Sequence, residues 1–148
     1  MNSLISFIQT GNLGEILIGM ERKTIEDLLG TPQDISISKK PTIVKYGSIQ
    51  LSFPSDKSNE KLDSIHIYFD EAIEFPKQLQ LEGWLPNNGI GLQEFVGDTK
   101  IFNIKLIEDK KHTFKNLQIG LKSEVGVIII FNIEEGLEKL NSMHLSEL

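Results

Sequence analysis

The chain has 148 residues, 39% of them hydrophobic and 24% charged, with no cysteine and a formal net charge of −6. That length suits one domain with its own core, and that composition excludes a disordered tail. The missing cysteine excludes a disulfide framework, a thiolate zinc site, a cysteine nucleophile and a lipidated N-terminal Cys, while the acidic balance argues against general nucleic-acid binding, which needs a basic patch.

The first eight residues, Met-Asn-Ser-Leu-Ile-Ser-Phe-Ile, carry no positive charge, and Gln9, Thr10 and Gly11 break their apolar run. They make a poor signal peptide. The longest apolar run, residues 125–131, is far too short to span a membrane. A cytoplasmic location, without a membrane partner, is the default expectation. Residues 4–8 start a short helix that ends near Gly11. Residues 22–29 read as a second helix, with Ile25, Leu28 and Leu29 on one face. Gly30 supplies its left-handed cap and Pro32 stops continuation.

The period then changes from helical to two. Residues 42–46 are β-rich, and Gly47-Ser48 marks a tight turn. Ile49, Leu51 and Phe53 alternate with Ser48, Gln50 and Ser52; after a polar loop, 54–61, Ile65, Ile67 and Phe69 alternate with Ser64, His66 and Tyr68. These are neighbouring antiparallel strands. Residues 70–88 form an irregular acidic connection holding Trp84, Pro76 and Pro86. Leu92, Phe95 and Val96 then mark a short helix near 91–97. Strand-like runs follow at 101–107, 114–121 and 125–131. Leu117, Ile119 and Leu121 alternate in the second run, and the continuous apolar stretch 127–131 predicts a strand covered on both faces. Residues 134–140 read as a terminal helix, with Leu137 and Leu140 inward, or as a last edge strand.

Helix then strands, then helix then strands, predicts an α+β fold: one antiparallel sheet with short helices on one face. A single domain, 1–148, is expected, with pseudo-repeats at 1–75 and 85–140 that share element order but little literal sequence.

The stretch Ile18-Gly19-Met20-Glu21-Arg-Lys-Thr-Ile25-Glu-Asp-Leu28-Leu29-Gly30-Thr31-Pro32 resembles the Gly-Met-Thr … Leu-Gly-Thr-Pro signature of the SmpA/OmlA (BamE-like) family. That module in turn resembles the repeat unit of β-lactamase inhibitory proteins. The motif is structural punctuation: Gly19-Met20 turns the chain into the helix, and Gly30-Thr-Pro32 ends it. Glu21 stands where the family has an N-capping Thr, and the family's signal peptide and lipidated Cys are missing, so no outer-membrane assembly role is expected. A looser pattern joins Gly30-x-Pro32, Lys45-Tyr46-Gly47-Ser-Ile-Gln-Leu-Ser-Phe53, Leu62-Asp-Ser-Ile-His-Ile-Tyr-Phe69 and Gly126-Val-Ile-Ile-Ile-Phe131. It resembles small cytoplasmic bacterial proteins that include immunity proteins of polymorphic toxin systems. That resemblance implies a non-catalytic module that binds and blocks a cognate toxin.

The residues carry little other chemistry. His66 sits on the polar side of a strand, His112 in the 108–112 turn and His144 near the end. No pair has an i, i+4 ligand spacing, and HExxH, GxSxG, P-loop and GxGxxG patterns are missing. No metal, cofactor or catalytic residue is expected. Gly11-Asn-Leu-Gly14 and Gly89-Ile-Gly91 read as turns, and Lys39-Lys40 and Lys110-Lys111 as solvated loop lysines. Asp70, Glu71 and Glu74 follow the strand ending at Phe69, and with Asp56, Glu60 and Asp63 they form an acidic patch suited to a basic partner. Tyr68, on the outer sheet face, and Trp84, in the irregular connection, are polar-tipped aromatics of the kind that anchor interfaces; Tyr46 reads as structural. The candidate partner-binding residues are therefore Tyr68, Asp70, Glu71, Glu74 and Trp84. The expected function is an immunity-like inhibitor that occludes a basic toxin domain. The alternatives are a scaffolding homodimer through an open edge such as 114–121, and a hydrolase using the carboxylates at 70–74.

Overall fold

The period-two segments all join one antiparallel sheet. The structure, a computed structural model, describes residues 2–36, 41–87 and 89–147, so the Lys39-Lys40 pair lies outside the described residues. Three helices, α1 (Leu4–Thr10), α2 (Arg22–Leu29) and α3 (Leu92–Ile101), accompany eight strands. The first four strands are β1 (Asp34–Ser36), β2 (Thr42–Tyr46), β3 (Ile49–Phe53) and β4 (Ser64–Tyr68); the second four are β5 (Ile107–Glu108), β6 (Gln118–Lys122), β7 (Ile128–Glu134) and β8 (Leu137–Ser146). Their order across the sheet is β1-β2-β3-β4-β8-β7-β6-β5. The chain is α+β.

The first half thus has two helices before a four-strand meander and the second has one, and the two meanders meet where their last strands, β4 and β8, pair. The pairing runs from Ser64↔Ser146 to Tyr68↔Ser142 and is centred on His66↔His144. Both strands enter on the same words: Glu-Lys-Leu-x-Ser-x-His occupies 60–66 and again 138–144. The halves therefore share more literal sequence than a pass along the chain suggests, concentrated at the strands that meet.

Alternation puts Val44, Ile49, Leu51, Phe53, Ile65 and Ile67 on the inward face of the first meander, and Ile129, Phe131 and Met143 on that of the second. Leu4, Phe7 and Ile8 of α1, Ile25 and Leu29 of α2 and Phe95 of α3 close the same core. The Gly19-Met20 turn docks on the strand entry, since Gly19 N–H donates to the Leu62 carbonyl and Leu62 N–H to that of Met20, both at 2.8 Å. Gly30 ends α2 at φ +83°, and Tyr46 Oη donates to its carbonyl at 2.8 Å. Burial pushes the Tyr46 phenol up to about 12, so it stays a neutral donor. Among the described residues no helix is long and apolar enough to cross a membrane.

Four local expectations are corrected. Residues 101–107 are not a strand: α3 runs on to Ile101, Asn103 turns the chain at φ +59°, and only 107–108 pair. Residues 114–117 form a turn with Asn116 at φ +65°, so Leu117 is 68% exposed and β6 starts at Gln118. Residues 134–140 are neither a helix nor an edge. Glu135 and Gly136, both at positive φ, make a two-residue hairpin turn, and β8 runs through the middle of the sheet. Because β6 lies between β7 and β5, the expected open edge at 114–121 is not one; the sheet ends at the three-residue β1 and the two-residue β5. The prediction of a doubly covered strand at 127–131 agrees with the structure, where all five residues are buried.

Phe131 is fully buried and packs edge-on against Phe95 with ring centroids 5.2 Å apart. Phe131→Ala leaves a cavity between sheet and α3, and should cost about 3–5 kcal/mol in a urea unfolding titration.

Candidate functional site

The face of the sheet away from the helices is where the polar residues converge. In β4 the alternation that buries Ile65 and Ile67 turns His66 and Tyr68 outward. The β4–β8 register sets His144 directly opposite His66, and the two imidazoles stack with centroids 5.1 Å apart and planes at 19°. Tyr68 continues the row on one side, 6.1 Å from His66 and nearly parallel to it. On the other side His112 meets His144 edge to face at 5.3 Å. All three histidines of the chain are thus linked with a tyrosine by successive ring contacts.

His112 reaches the sheet because a 3-10 turn, Lys110–His112, folds over β6. Gly120 makes that approach feasible: a Cβ there would lie 2.7 Å from His112 Cβ and 3.0 Å from its carbonyl oxygen. Asp109 N–H donates to the Gly120 carbonyl at 2.8 Å, and Gly120 N–H to Thr113 Oγ1 at 3.0 Å. Gln118 Nε2 donates to the His112 carbonyl at 2.7 Å. The Asp109 carboxylate accepts from His112 Nδ1, and that hydrogen bond holds the Asp109 carboxyl below its usual range. It also fixes which ring nitrogen carries the proton, leaving Nε2 as an acceptor in the neutral ring.

A cavity opens at each end of the row. Near Tyr68, one of about 290 Å³ is lined by Asp70, Glu71 and Glu74 together with Gln33, Lys45 and Gln50. The loop carrying these carboxylates is pinned through Ser48, whose N–H donates to the Glu74 carbonyl at 2.7 Å and whose Oγ accepts from Glu74 N–H at 2.9 Å. Gly47, at φ +61°, leaves room for that loop, because a Cβ there would run into the Glu74 carbonyl. At the other end a cavity of about 550 Å³ lies between His112, His144, Lys111, Lys122, Glu124 and Ile128.

The structure therefore brings four of the five sequence candidates together: Tyr68, Asp70, Glu71 and Glu74 line one cavity. Burial, and secondarily the Asp70 carboxylate, raise the Tyr68 phenol. Trp84 is elsewhere. Its Nε1 donates to Asp98 Oδ2 at 3.0 Å and its ring packs on Phe95 at 5.3 Å, on the helix side of the sheet. Glu60 of the expected acidic patch is engaged by Ser55 Oγ at 2.5 Å, and that bond lowers its carboxyl. The histidine row was invisible to local spacing because His66 and His144 meet only through strand register. The repeated Glu-Lys-Leu-x-Ser-x-His is the one signal in the sequence that pairs them.

Among the described residues no group of three or more His, Asp or Glu is arranged to hold a metal ion, and no side-chain hydroxyl is hydrogen-bonded to the His112 ring. What the row can do is respond to protons. His144 is pushed down to about 4, first by burial and then by the neighbouring His66 and His112 rings, with Asp109 opposing. Burial also lowers His66, against the pull of Asp63. No family model, curated protein or solved structure matches this chain.

The sign of the pH effect follows. An unfolded histidine protonates near 6.5, before His144 does in the native chain. The stability that His144 contributes is present in full above pH 6.5 and is lost as the pH falls towards 4. Urea midpoints should fall between pH 7.5 and pH 5, and His144→Phe should reduce that slope.

Proposed function

We propose that this chain is a non-catalytic protein-binding module: an immunity-like protein of the bacterial cytoplasm that neutralises a basic toxin domain by occlusion. The observation that carries this reading is the convergence of Asp70, Glu71 and Glu74 beside Tyr68, in a cavity of about 290 Å³ at one end of the outer sheet face. Three exposed carboxylates next to a half-buried aromatic suit a lysine or arginine whose stem lies on the ring while its charge meets the acids. A net charge of −6 steers a cationic partner towards the chain over a longer range. The pattern resemblance to immunity proteins points the same way. A carboxylate hydrolase is less well supported. Such chemistry needs one carboxyl in a setting that keeps it protonated beside another that stays charged, and Asp70, Glu71 and Glu74 are all exposed to solvent.

The test is co-purification from the native host with a salt series on the wash. A stoichiometric basic protein that is lost as salt rises is the expected result. The triple change Asp70→Lys, Glu71→Lys and Glu74→Lys should weaken capture by tenfold or more while the far-ultraviolet spectrum stays native. Capture that ignores both salt and charge reversal would refute the acidic-cavity reading. Gly47→Val, which displaces the Glu74 carbonyl without changing charge, should weaken capture in the same assay.

A further inference from the structure

The turn over β6 is held by two kinds of contact. At its ends are neutral hydrogen bonds: Asp109 N–H to the Gly120 carbonyl, Gly120 N–H to Thr113 Oγ1 and Gln118 Nε2 to the His112 carbonyl. At its tip the His112 ring rests on His144, which is stacked in turn on His66. On this side of the sheet Ile128 and Ile130 are 7% and 6% exposed; Ile130 pairs with Gly120, on which the turn sits. His66 and His144 belong to strands paired on both sides, so they cannot separate without breaking the sheet. His112 belongs to a three-residue turn and can.

Charged groups face this row from every neighbouring element. From β4 come His66 and Tyr68, with Asp63 just before the strand; from the turn come Asp109 and Lys111. Lys122 closes β6, Glu124 follows it, and Glu147 follows β8. His112 Nδ1 is bonded to the Asp109 carboxylate, which anchors the ring within its own turn. His144 has no carboxylate hydrogen bond among the described residues, is partly buried and lies one ring contact from both His66 and His112, so the closed turn disfavours a proton on it. The Asp109 carboxylate opposes that effect without cancelling it.

We propose that the 109–113 turn is a proton-operated flap: when His144, beneath the His112 ring, takes up a proton, the turn lifts from the outer face and exposes Ile128, Ile130 and the cleft beneath. The lifted state frees His144 from the His112 ring and from part of its burial, so lifting and proton uptake reinforce each other. The flap is a property of the isolated chain and does not depend on the partner proposed above.

Amide hydrogen exchange of the free protein at pH 7.5 and pH 5.0, corrected for the intrinsic rate, tests it. Return of His144 from about 4 to 6.5 would multiply the opening constant by at most roughly thirtyfold at pH 5. The expected result is about a tenfold loss of protection at Gly120 and its neighbours in 109–122, with protection in the β2–β3 hairpin unchanged. His144→Phe, which keeps a ring that cannot take a proton, should abolish the difference. Equal loss across β2–β3, no loss at 109–122, or an undiminished loss in His144→Phe would overturn the flap. Where that variant does not fold, the histidine ring resonances of the unaltered chain decide: opening at 109–122 must follow the titration of His144, and opening that follows another group refutes the proposal.

Discussion

The pairing of β4 with β8 is the contact on which the rest of the molecule depends. It joins two four-strand meanders into one sheet, and it does so through the last strand of each. Without it each half would present an unpaired edge along its last strand, an invitation to aggregation. With it Ile65 and Ile67 become continuous with Met143, Ile129 and Phe131, and the three helices cover one core rather than two. The recurrence of Glu-Lys-Leu-x-Ser-x-His on both strands makes the junction nearly self-complementary, and gives the two halves the look of a duplicated unit whose copies meet at their matching strands.

The two faces of that sheet have separate roles. The inward face is apolar and closed by α1, α2 and α3. The outward face is polar at its centre and is covered only over the second meander, where the Lys110–His112 turn lies across Gly120. That asymmetry produces the two cavities. The end near Tyr68 is acidic because the chain leaving β4 carries Asp70, Glu71 and Glu74, pinned by Ser48. The end near His112 is mixed in charge, with Lys111 and Lys122 beside Asp109 and Glu124. Between them runs a row of aromatic rings that is neutral while its histidines are unprotonated. The histidine contacts and the acidic cavity thus share one face, joined by Tyr68, which belongs to both.

Legibility in the sequence tracked the distance over which each feature is decided. The α2 helix, its glycine stop and the β2–β3–β4 alternation are set by neighbours within a few positions, and they read correctly. Tyr68 at the end of β4 and Asp70, Glu71 and Glu74 just after it are close along the chain, and they line one cavity. Errors came where the backbone turned on a single residue inside an apolar run, even where that residue was an asparagine, which favours turns. Asn103, Asn116 and Glu135 adopt positive φ without a glycine of their own; each moved a boundary, and Glu135 with Gly136 turned a supposed terminal helix into the hairpin that starts β8. The partners of Trp84, Asp98 at its polar tip and Phe95 at its ring, lie on a helix further along the chain and were not legible from its own neighbours.

The sequence by itself determined which side chains face inward on β3 and β4, because period-two alternation against a buried face is a local property of the chain. It determined the class of fold, the short helices and the acidic loop. Only the tertiary structure decided which strands are neighbours. Register between segments 78 residues apart, the offset of the two Glu-Lys-Leu-x-Ser-x-His segments, is set by packing whole faces together, and no short window encodes it. That is why three histidines that look unrelated along the chain become one row, and why the centre of the sheet is a strand that looked like a tail.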